Sequence, residues 1–315
     1  MPGPSVSETP SRLATTRAAA AERVARLGDA AQASARWGPL VTMARRIGPH
    51  ELIDRGAALT YYSVLSLIPG LLVLFSWIGL LGDSGTVDGV LEILDEVGPS
   101  GVEGAARDPV ESLTESDAES GALLGLGLLG VLWTASAYIG SFFRASATIW
   151  GVERRPVWRA WPLRMGLTLV MLVLLAAALL LVVLTGQLAR SIADAIGLGG
   201  GIVGLYNFLK WPALLVLLTL LIGLLYRTSP SRKRSIGWRV LTPGGAVAMV
   251  AWLLVSAGFN GYVNLFATYD TTYGALGTTI AGLVWLWLTN LTLLMGVELD
   301  AALEFRREAG AAAGR

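Results

Sequence analysis

Few side chains in this sequence are of the types that enzymes and metal sites use. The 315 residues include no cysteine and one histidine, His50. Because zinc and di-metal hydrolases rely on imidazole and thiolate ligands, this composition argues against them and leaves only carboxylate-type metal sites open. His50 follows a basic segment, where a surface histidine is expected. We therefore predict no catalytic residue, no metal site and no cofactor, and we expect that the protein is not an enzyme.

Polar side chains inside long apolar segments carry more information, because such groups are costly at membrane depth. Glu298 is the candidate proton carrier, and the alternative interpretation is a salt bridge with Arg306 or with arginines of a loop. Ser66 and Pro69 predict a kink, which serves either packing or a hinge that faces substrate. The residues predicted to line a substrate pathway are Tyr61, Tyr62, Ser66, Pro69, Asn260, Asn264, Tyr269, Asp270, Tyr273, Asn290 and Glu298.

Membrane-spanning helices must position these residues, since the chain is 54% hydrophobic and only 15% charged. An average soluble domain carries about 25% charged residues. A transmembrane helix needs about 20 mostly apolar residues, and the candidate segments are 57–81, 121–143, 165–189, 202–226, 240–259 and 273–297. The predicted fold is therefore an all-α polytopic membrane protein with six transmembrane helices in a membrane domain of residues 57–305. In the second segment, small-residue spacing predicts close helix contact at Gly121, Gly125, Gly127 and Gly130.

The basic residues indicate the orientation of these helices, because Lys and Arg of short loops remain on the cytoplasmic side. Of the 24 basic residues, 21 lie in the segments 1–56, 144–164, 227–239 and 306–315. Both termini, including the tail 306–315, are therefore predicted to be cytoplasmic. The basic residues predicted to anchor the membrane interface are Arg144, Arg190 and Lys210. Lys210 is an outer anchor if its helix begins at Trp211, and it lies deeper if the helix begins near Ile202.

The segments outside the predicted spans differ in composition. Residues 1–36 are expected to be disordered or loosely helical, and 37–56 to form an amphipathic interfacial helix that breaks at Gly48-Pro49. The extracytoplasmic loop 83–120 contains eleven acidic residues and one basic residue, Arg107. The helical spacing of its apolar residues predicts an amphipathic helix over the outer mouth of the bundle. The loop is either a solvated acidic surface or a vestibule that attracts cations.

Short motifs at the ends of the predicted helices carry a family resemblance. Residues 58–69 read Ala-Leu-Thr-Tyr-Tyr-Ser-Val-Leu-Ser-Leu-Ile-Pro. Further along, the chain carries Thr148-Ile149-Trp150, Leu225-Tyr226-Arg227, Tyr269-Asp270 followed by Tyr273-Gly274-Ala275-Leu276, and Met295-Gly296-Val297-Glu298-Leu299. In order and spacing these motifs resemble the YihY/BrkB family of bacterial inner-membrane proteins, over about residues 45–304.

The resemblance implies a multi-pass protein of the bacterial cytoplasmic membrane that is linked to envelope integrity and, in some members, to virulence-related serum resistance. Members of this family also carry an older label, that of the tRNA-processing ribonuclease BN. Such a nuclease needs clustered His and Asp metal ligands, which a chain with one histidine does not supply. We therefore expect neither ribonuclease activity nor a nucleic-acid partner.

Two functions fit such a protein. The first hypothesis is a transporter or flippase that moves a lipid-like or amphipathic substrate and is driven by a gradient. The alternative is a non-transporting scaffold that binds lipid or other envelope proteins. Membrane lipids are the expected partners under both hypotheses, and a homo-oligomer or an envelope-protein partner is left open.

Overall fold

The computed structural model describes residues 38–81, 117–153, 156–183, 200–231, 241–265 and 270–313. These residues form helices and short connecting turns without any strand, so the predicted all-α class is confirmed for this part of the chain. The helices are α1 (Gly38–Arg46), α2 (Leu52–Leu81), α3 (Asp117–Trp150), α4 (Val157–Val183), α5 (Gly200–Thr228), α6 (Pro243–Leu265) and α7 (Asp270–Ala313). The predictions for residues 1–36 and for most of the acidic loop lie outside the described residues.

Several of these helices are suited to a membrane. Within the described residues, four are long and apolar enough to cross one: Gly125–Trp150, Ala160–Leu179, Gly204–Thr228 and Thr279–Ala312. The apolar helix Pro243–Phe259 is shorter. Large apolar side chains face outward from the bundle, as in Val173 (61% exposed), Phe208 (73%) and Leu254 (69%), and a bilayer would accept this surface. The count of six spans and the cytoplasmic location of both termini stay predictions.

A sharp turn separates α1 from α2. The backbone N–H of Leu52 donates to the carbonyl of Ile47 (3.1 Å), and that of Glu51 donates to Gly48 (2.9 Å). These two bonds form a Schellman-type helix end, in which Glu51 adopts the left-handed conformation (φ 52°) usually taken by glycine. The break predicted at Gly48-Pro49 is therefore confirmed. The location of α1 in the membrane interface stays a prediction.

The helices pack as a closed ring in chain order. Each helix from α2 to α7 contacts the next, and α7 returns to contact α2. In addition, α7 reaches α3 and α1, so it contacts more of the bundle than any other helix. The core around it includes Leu52, Leu59, Phe142, Ile149 and Leu294, all at most 2% exposed.

Helix α7 is longer than the span predicted from hydropathy. Its 44 residues correspond to about 66 Å of helix, whereas the hydrocarbon core of a bilayer is about 30 Å thick. The sequence pattern placed the end of the span at Val297, because the helix becomes polar there. In the structure α7 continues through Glu298 to Ala313 without interruption. The predicted tail is therefore largely an extension of this helix.

Two glycines allow α6 and α7 to approach at backbone distance. A Cβ atom on Gly296 would lie 2.5 Å from the carbonyl oxygen of Gly244 and 2.8 Å from Cβ of Ala248, and it would also collide with the hydroxyl of Tyr226. A Cβ atom on Gly244 would collide with the carbonyl of Gly296. This crossing sets the position of the polar end of α7 against α6.

Candidate functional site

Helix α7 carries an unusual set of buried polar residues along one part of its length. These residues are Asn290, Thr292, Glu298 and Asp300, each at most 5% exposed. From Asn290 to Asp300 they extend over about 15 Å of the helix axis. Asn290, Glu298 and Asp300 contact different neighbouring elements, whereas the hydroxyl of Thr292 donates to the carbonyl of Thr289 in the same helix at 2.7 Å. We treat this buried polar segment, residues 290–300, as the candidate functional site.

The carboxylate of Glu298 is enclosed completely, and its partners, His50 and Arg46, come from the segment before α2. Its Oε2 lies 2.6 Å from Nδ1 of His50, and its Oε1 lies 3.6 Å from Nη1 of Arg46. Oε1 is buried and has no hydrogen-bond partner among the described residues. Arg46 also lies over the ring of Phe305, at 4.9 Å from its centroid. These contacts fasten α1 and the turn after it to α7.

Asp300 stabilises the beginning of α6. Its Oδ1 accepts a hydrogen bond from the backbone N–H of Gly244 at 2.9 Å. Thr242 precedes this helix as a local cap, since its hydroxyl accepts from the N–H of Gly245 at 3.0 Å. The N-terminus of a helix has free N–H groups and a positive dipole end, so a carboxylate is favoured there. The burial of Asp300 is therefore explained by its role in capping α6.

Asn290 connects three helices. Its side-chain amide donates to the hydroxyl of Thr60 on α2 (3.2 Å) and to the carbonyl of Leu286 (2.9 Å). Its oxygen accepts from the hydroxyl of Tyr138 on α3 at 2.9 Å. Tyr226 makes a similar link from α5, because its hydroxyl donates to the carbonyl of Leu293. These bonds hold α7 in one register against its neighbours.

Replacing Asn290 with alanine is expected to cost about 1–2 kcal/mol of stability, because the hydrogen bonds to Thr60 and Tyr138 are lost and such bonds contribute about 0.6 kcal/mol each, at most about 1.7. The free energy of unfolding in detergent measures the effect. Tyr138→Phe should destabilise the parent protein and have little further effect in the Asn290→Ala background. Equal costs of Tyr138→Phe in both backgrounds would contradict the predicted coupling.

A small recess adjoins this segment. It is lined by Trp150, Tyr226, Ser229, Ser231, Thr242, Val297 and Asp300, and its volume is about 10 Å³. This is roughly the room that one water molecule needs. The recess is therefore too small for a substrate.

The first part of the predicted pathway lies on α2. Tyr61 is 63% exposed on the surface of the bundle, and Tyr62 is partly buried against it, with ring centroids 5.5 Å apart. The hydroxyl of Ser66 donates to the carbonyl of Tyr62 at 2.8 Å. By helix spacing, however, the carbonyl that Pro69 leaves without an N–H is that of Leu65. Ser66 thus bonds a different carbonyl from the one that the proline leaves without a donor.

Of the remaining pathway residues, the structure describes the side chains of only Asn290 and Glu298. Asn290 and Glu298 are both buried on α7, on successive parts of the same segment. Tyr269 lies outside the described residues, as do the side chains of Pro69, Asn260, Asn264, Asp270 and Tyr273. Their role in a pathway stays a prediction.

The predicted interface residues differ in their surroundings. Arg144 is exposed near the end of α3. Lys210 lies within α5, which begins at Gly200, so the alternative in which the helix starts at Trp211 is wrong. The Lys210 ammonium lies 5.4 Å from the centroid of the Trp211 ring, which gives the charge a cation–π partner. Arg190 lies outside the described residues.

The structure contradicts one expectation from the sequence, the surface location of His50. It was expected on the surface, but its side chain is only 21% exposed and contacts Glu298. The partners that the structure gives Glu298, His50 and Arg46, were not identified beforehand. The i,i+4 spacing of Arg46 and His50 beside a Gly-Pro break was the available signal, since it places two cationic side chains where α2 begins.

The chain matches a family of known proteins over most of its length. The family described as Virulence factor BrkB matches residues 43–315. The chain belongs to this BrkB family. The matched range contains every member of the site, from Arg46 to Asp300. With its apolar helices, the chain is a membrane protein of the BrkB family.

Individual BrkB-related proteins resemble the chain over most of its length. A ribonuclease-like protein, YfkH, of Bacillus subtilis (strain 168) is 29% identical over 82% of this chain and 92% of the relative. A UPF0761 membrane protein of Vibrio campbellii is 30% identical over 81% of this chain and 78% of the relative. One of Methylibium petroleiphilum is 26% identical over 89% of this chain, which spans only 65% of that relative. No solved structure matches the chain.

Proposed function

We propose that this BrkB-family protein resides in the bacterial cytoplasmic membrane and supports envelope integrity by moving a lipid-like or amphipathic molecule across it. In this proposal the contact of Glu298 with His50 and Arg46 closes the cytoplasmic end of the pathway. The observation that carries the proposal is the complete burial of Glu298, an ionisable residue, in the wall of a helix bundle. Ionisable groups at membrane depth often belong to substrate or proton pathways.

The geometry of Glu298 supports a contact that can open. Its Oε1 has no hydrogen bond within the described residues, and Arg46 approaches it only to 3.6 Å. A buried carboxylate that is incompletely paired is costly, so Glu298 depends on its contacts with His50 and Arg46. Proton uptake by Glu298 would remove its attraction to Arg46. Helix α1 could then separate from α7, and a gradient of protons would drive the change.

Transport by purified protein in liposomes tests the proposal. With a labelled phospholipid and an imposed proton gradient, the parent protein is expected to accelerate exchange between leaflets. Glu298→Gln is expected to lose the part of the rate that depends on the gradient, because its amide takes up no proton. Glu304→Gln is the matched control on the same helix, because Glu304 lies 25% exposed and pairs with Arg307 at 3.7 Å. The control should retain the parent rate.

Two outcomes would contradict this proposal. If no gradient makes the parent protein accelerate leaflet exchange, the protein does not act as a phospholipid flippase. If Glu298→Gln and Glu304→Gln retain the same rate, the buried carboxylate has no part in transport. The folded state of each variant is checked by its elution volume in detergent before the liposomes are prepared.

A non-transporting scaffold is the second candidate, and the tight packing around α7 favours it. Asn290, Tyr226 and the Gly244–Gly296 crossing join α7 to four neighbouring helices, and the adjoining recess holds only about one water. For a scaffold, deletion of residues 83–120 should abolish envelope integrity, whereas Tyr62→Ala should leave it intact. The reverse pattern would favour a pathway beside α2.

Ribonuclease activity is not part of the proposal, although the relative from Bacillus subtilis has a ribonuclease-like name. The whole chain has one histidine and no cysteine. Within the described residues, no group of three or more His, Cys, Asp or Glu side chains is placed to hold a metal ion. Incubation of the purified protein with precursor tRNA and divalent cations tests this exclusion.

A further inference from the structure

An arginine on α4 lies in a groove on α3. Nη2 of Arg164 donates to the hydroxyl of Ser136 at 3.3 Å. The guanidinium rests against Gly140, one turn further along α3, where an added Cβ would come within 2.6 Å of Nη1 and 3.2 Å of Cζ. The absent side chain of Gly140 therefore makes the space that the guanidinium occupies. Nε of Arg164 is buried and has no hydrogen-bond partner within the described residues.

A second arginine lies one turn beyond Gly140. Arg144 is exposed, and by helix spacing it lies on the same face of α3 as Gly140, against which the Arg164 guanidinium rests. In the part of the chain that the structure describes, neither arginine forms an ion pair with an acidic residue. Two like charges near each other are mutually repulsive, so an anion between them would be bound favourably. A phosphate group fits this pair, because guanidinium groups donate several hydrogen bonds in a planar arrangement.

The neighbouring side chains place this pair at the edge of the membrane. Helix α4 begins at Val157, and Trp158 and Trp161 near its start are 70% and 52% exposed. Exposed tryptophans of membrane proteins concentrate at the level of the lipid headgroups. Arg164 lies about 4.5 Å deeper than Trp161 along the helix axis. Further along α4, Leu175 lies on the same helix face as Arg164 and is 49% exposed, so it offers an apolar surface to an acyl chain.

We propose that Arg164 and Arg144 form a binding site for the phosphate of an anionic phospholipid, with Gly140 as the floor of the site. The lipid lies at the junction of α3 and α4, on the side of the membrane where α3 ends and α4 begins. Basic pockets between transmembrane helices bind anionic headgroups in this way. The site does not depend on transport, since it uses none of the residues around Glu298. If the protein is a non-transporting scaffold, this lipid site would still be present.

Native mass spectrometry of the full chain in a neutral detergent tests the site. With phosphatidylglycerol and phosphatidylcholine at equal concentration, the parent protein should retain mainly phosphatidylglycerol. Arg164→Gln and Arg144→Gln should each weaken this binding about fivefold. Arg227→Gln is the control, because it removes one exposed arginine from the end of a different helix, α5, and it should change binding less than about twofold.

A second pair of variants tests the groove without changing any charge. Gly140→Ala should displace the Arg164 guanidinium and weaken phosphatidylglycerol binding. Gly125→Ala on the same helix should have no effect, because a Cβ there meets nothing within 4 Å. Melting in lipid-free detergent identifies any variant that fails to fold. If Arg164→Gln unfolds, Arg144→Gln decides the test, since Arg144 is exposed.

Three results would overturn the proposal. One is equal retention of phosphatidylglycerol by Arg144→Gln and Arg227→Gln. Another is equal retention of phosphatidylcholine and phosphatidylglycerol by the parent protein. The third is displacement of phosphatidylglycerol by millimolar inorganic phosphate, which would show that the arginines bind a free anion rather than a lipid.

Discussion

Replacing Gly296 with alanine is expected to lower the free energy of unfolding by roughly 3 kcal/mol, and Gly244→Ala should cost at least as much. At both positions the new methyl group meets backbone atoms of the opposite helix, which do not move independently. Helices α6 and α7 must then separate, and two other contacts weaken with them. These are the hydrogen bond from Tyr226 to the carbonyl of Leu293 and that from Gly244 to Asp300.

Two further glycines provide controls on the same helices. A Cβ on Gly258 of α6 or on Gly282 of α7 meets nothing within 4 Å. Because glycine within a helix is destabilising relative to alanine by about 0.5–1 kcal/mol, Gly258→Ala and Gly282→Ala should leave stability unchanged or raise it slightly. Unfolding by denaturant in detergent micelles compares the four variants. Losses of similar size at all four positions would mean that helix contact is not the cause.

Hydropathy predicted where the helices of this protein lie better than where they end. Apolar runs identify the central parts of α2 to α7, because burial in lipid requires them. The polar extension of α7 from Glu298 to Ala313 is invisible to hydropathy, since it is stabilised by α1 and by the core around Phe305. The break after Arg46 was predictable, because Gly48 and Pro49 act on the local backbone alone.

Close helix contacts were harder to predict than the helices. The glycine spacing of α3 predicted close contact at four positions. It fails at Gly125, which is exposed and where a Cβ meets nothing within 4 Å, whereas Gly127 is buried. Within the described residues, α6 and α7 approach closely at Gly244 and Gly296. Glycine spacing shows that a helix can be approached closely. Which helix approaches it depends on the packing of the whole ring.

In the candidate site, the polar residues themselves were predictable from the sequence, but their partners were not. Glu298 and Asn290 were identified because a polar side chain in an apolar segment must be explained. Their partners were not, since His50 lies 248 residues from Glu298 in the chain and Tyr138 lies 152 residues from Asn290. Such pairs result from tertiary packing, which residue types and their spacing along the chain do not reveal.

Glu298→Ala is expected to destabilise the protein by about 3 kcal/mol, because removal of one partner from a buried charge pair leaves the others uncompensated. Arg46 would keep its position over the ring of Phe305, whereas His50 would lose its 2.6 Å contact. Glu298→Gln should cost less, since the amide oxygen still accepts a hydrogen bond from Nδ1 of His50. Glu304→Gln is again the control and should change stability by less than about 0.5 kcal/mol, because its ion pair with Arg307 is largely exposed.

A double-mutant cycle between His50 and Glu298 separates their contact from other effects of each substitution. We expect His50→Ala to destabilise the parent protein, since Glu298 would retain only Arg46 at 3.6 Å. In the Glu298→Ala background the same change should cost less, by a coupling energy of about 1–3 kcal/mol. Additive losses would show that the 2.6 Å contact contributes nothing to stability. The same contact joins α1 to α7. Additive losses would therefore also contradict the proposal that this contact closes the cytoplasmic end of the pathway until Glu298 takes up a proton.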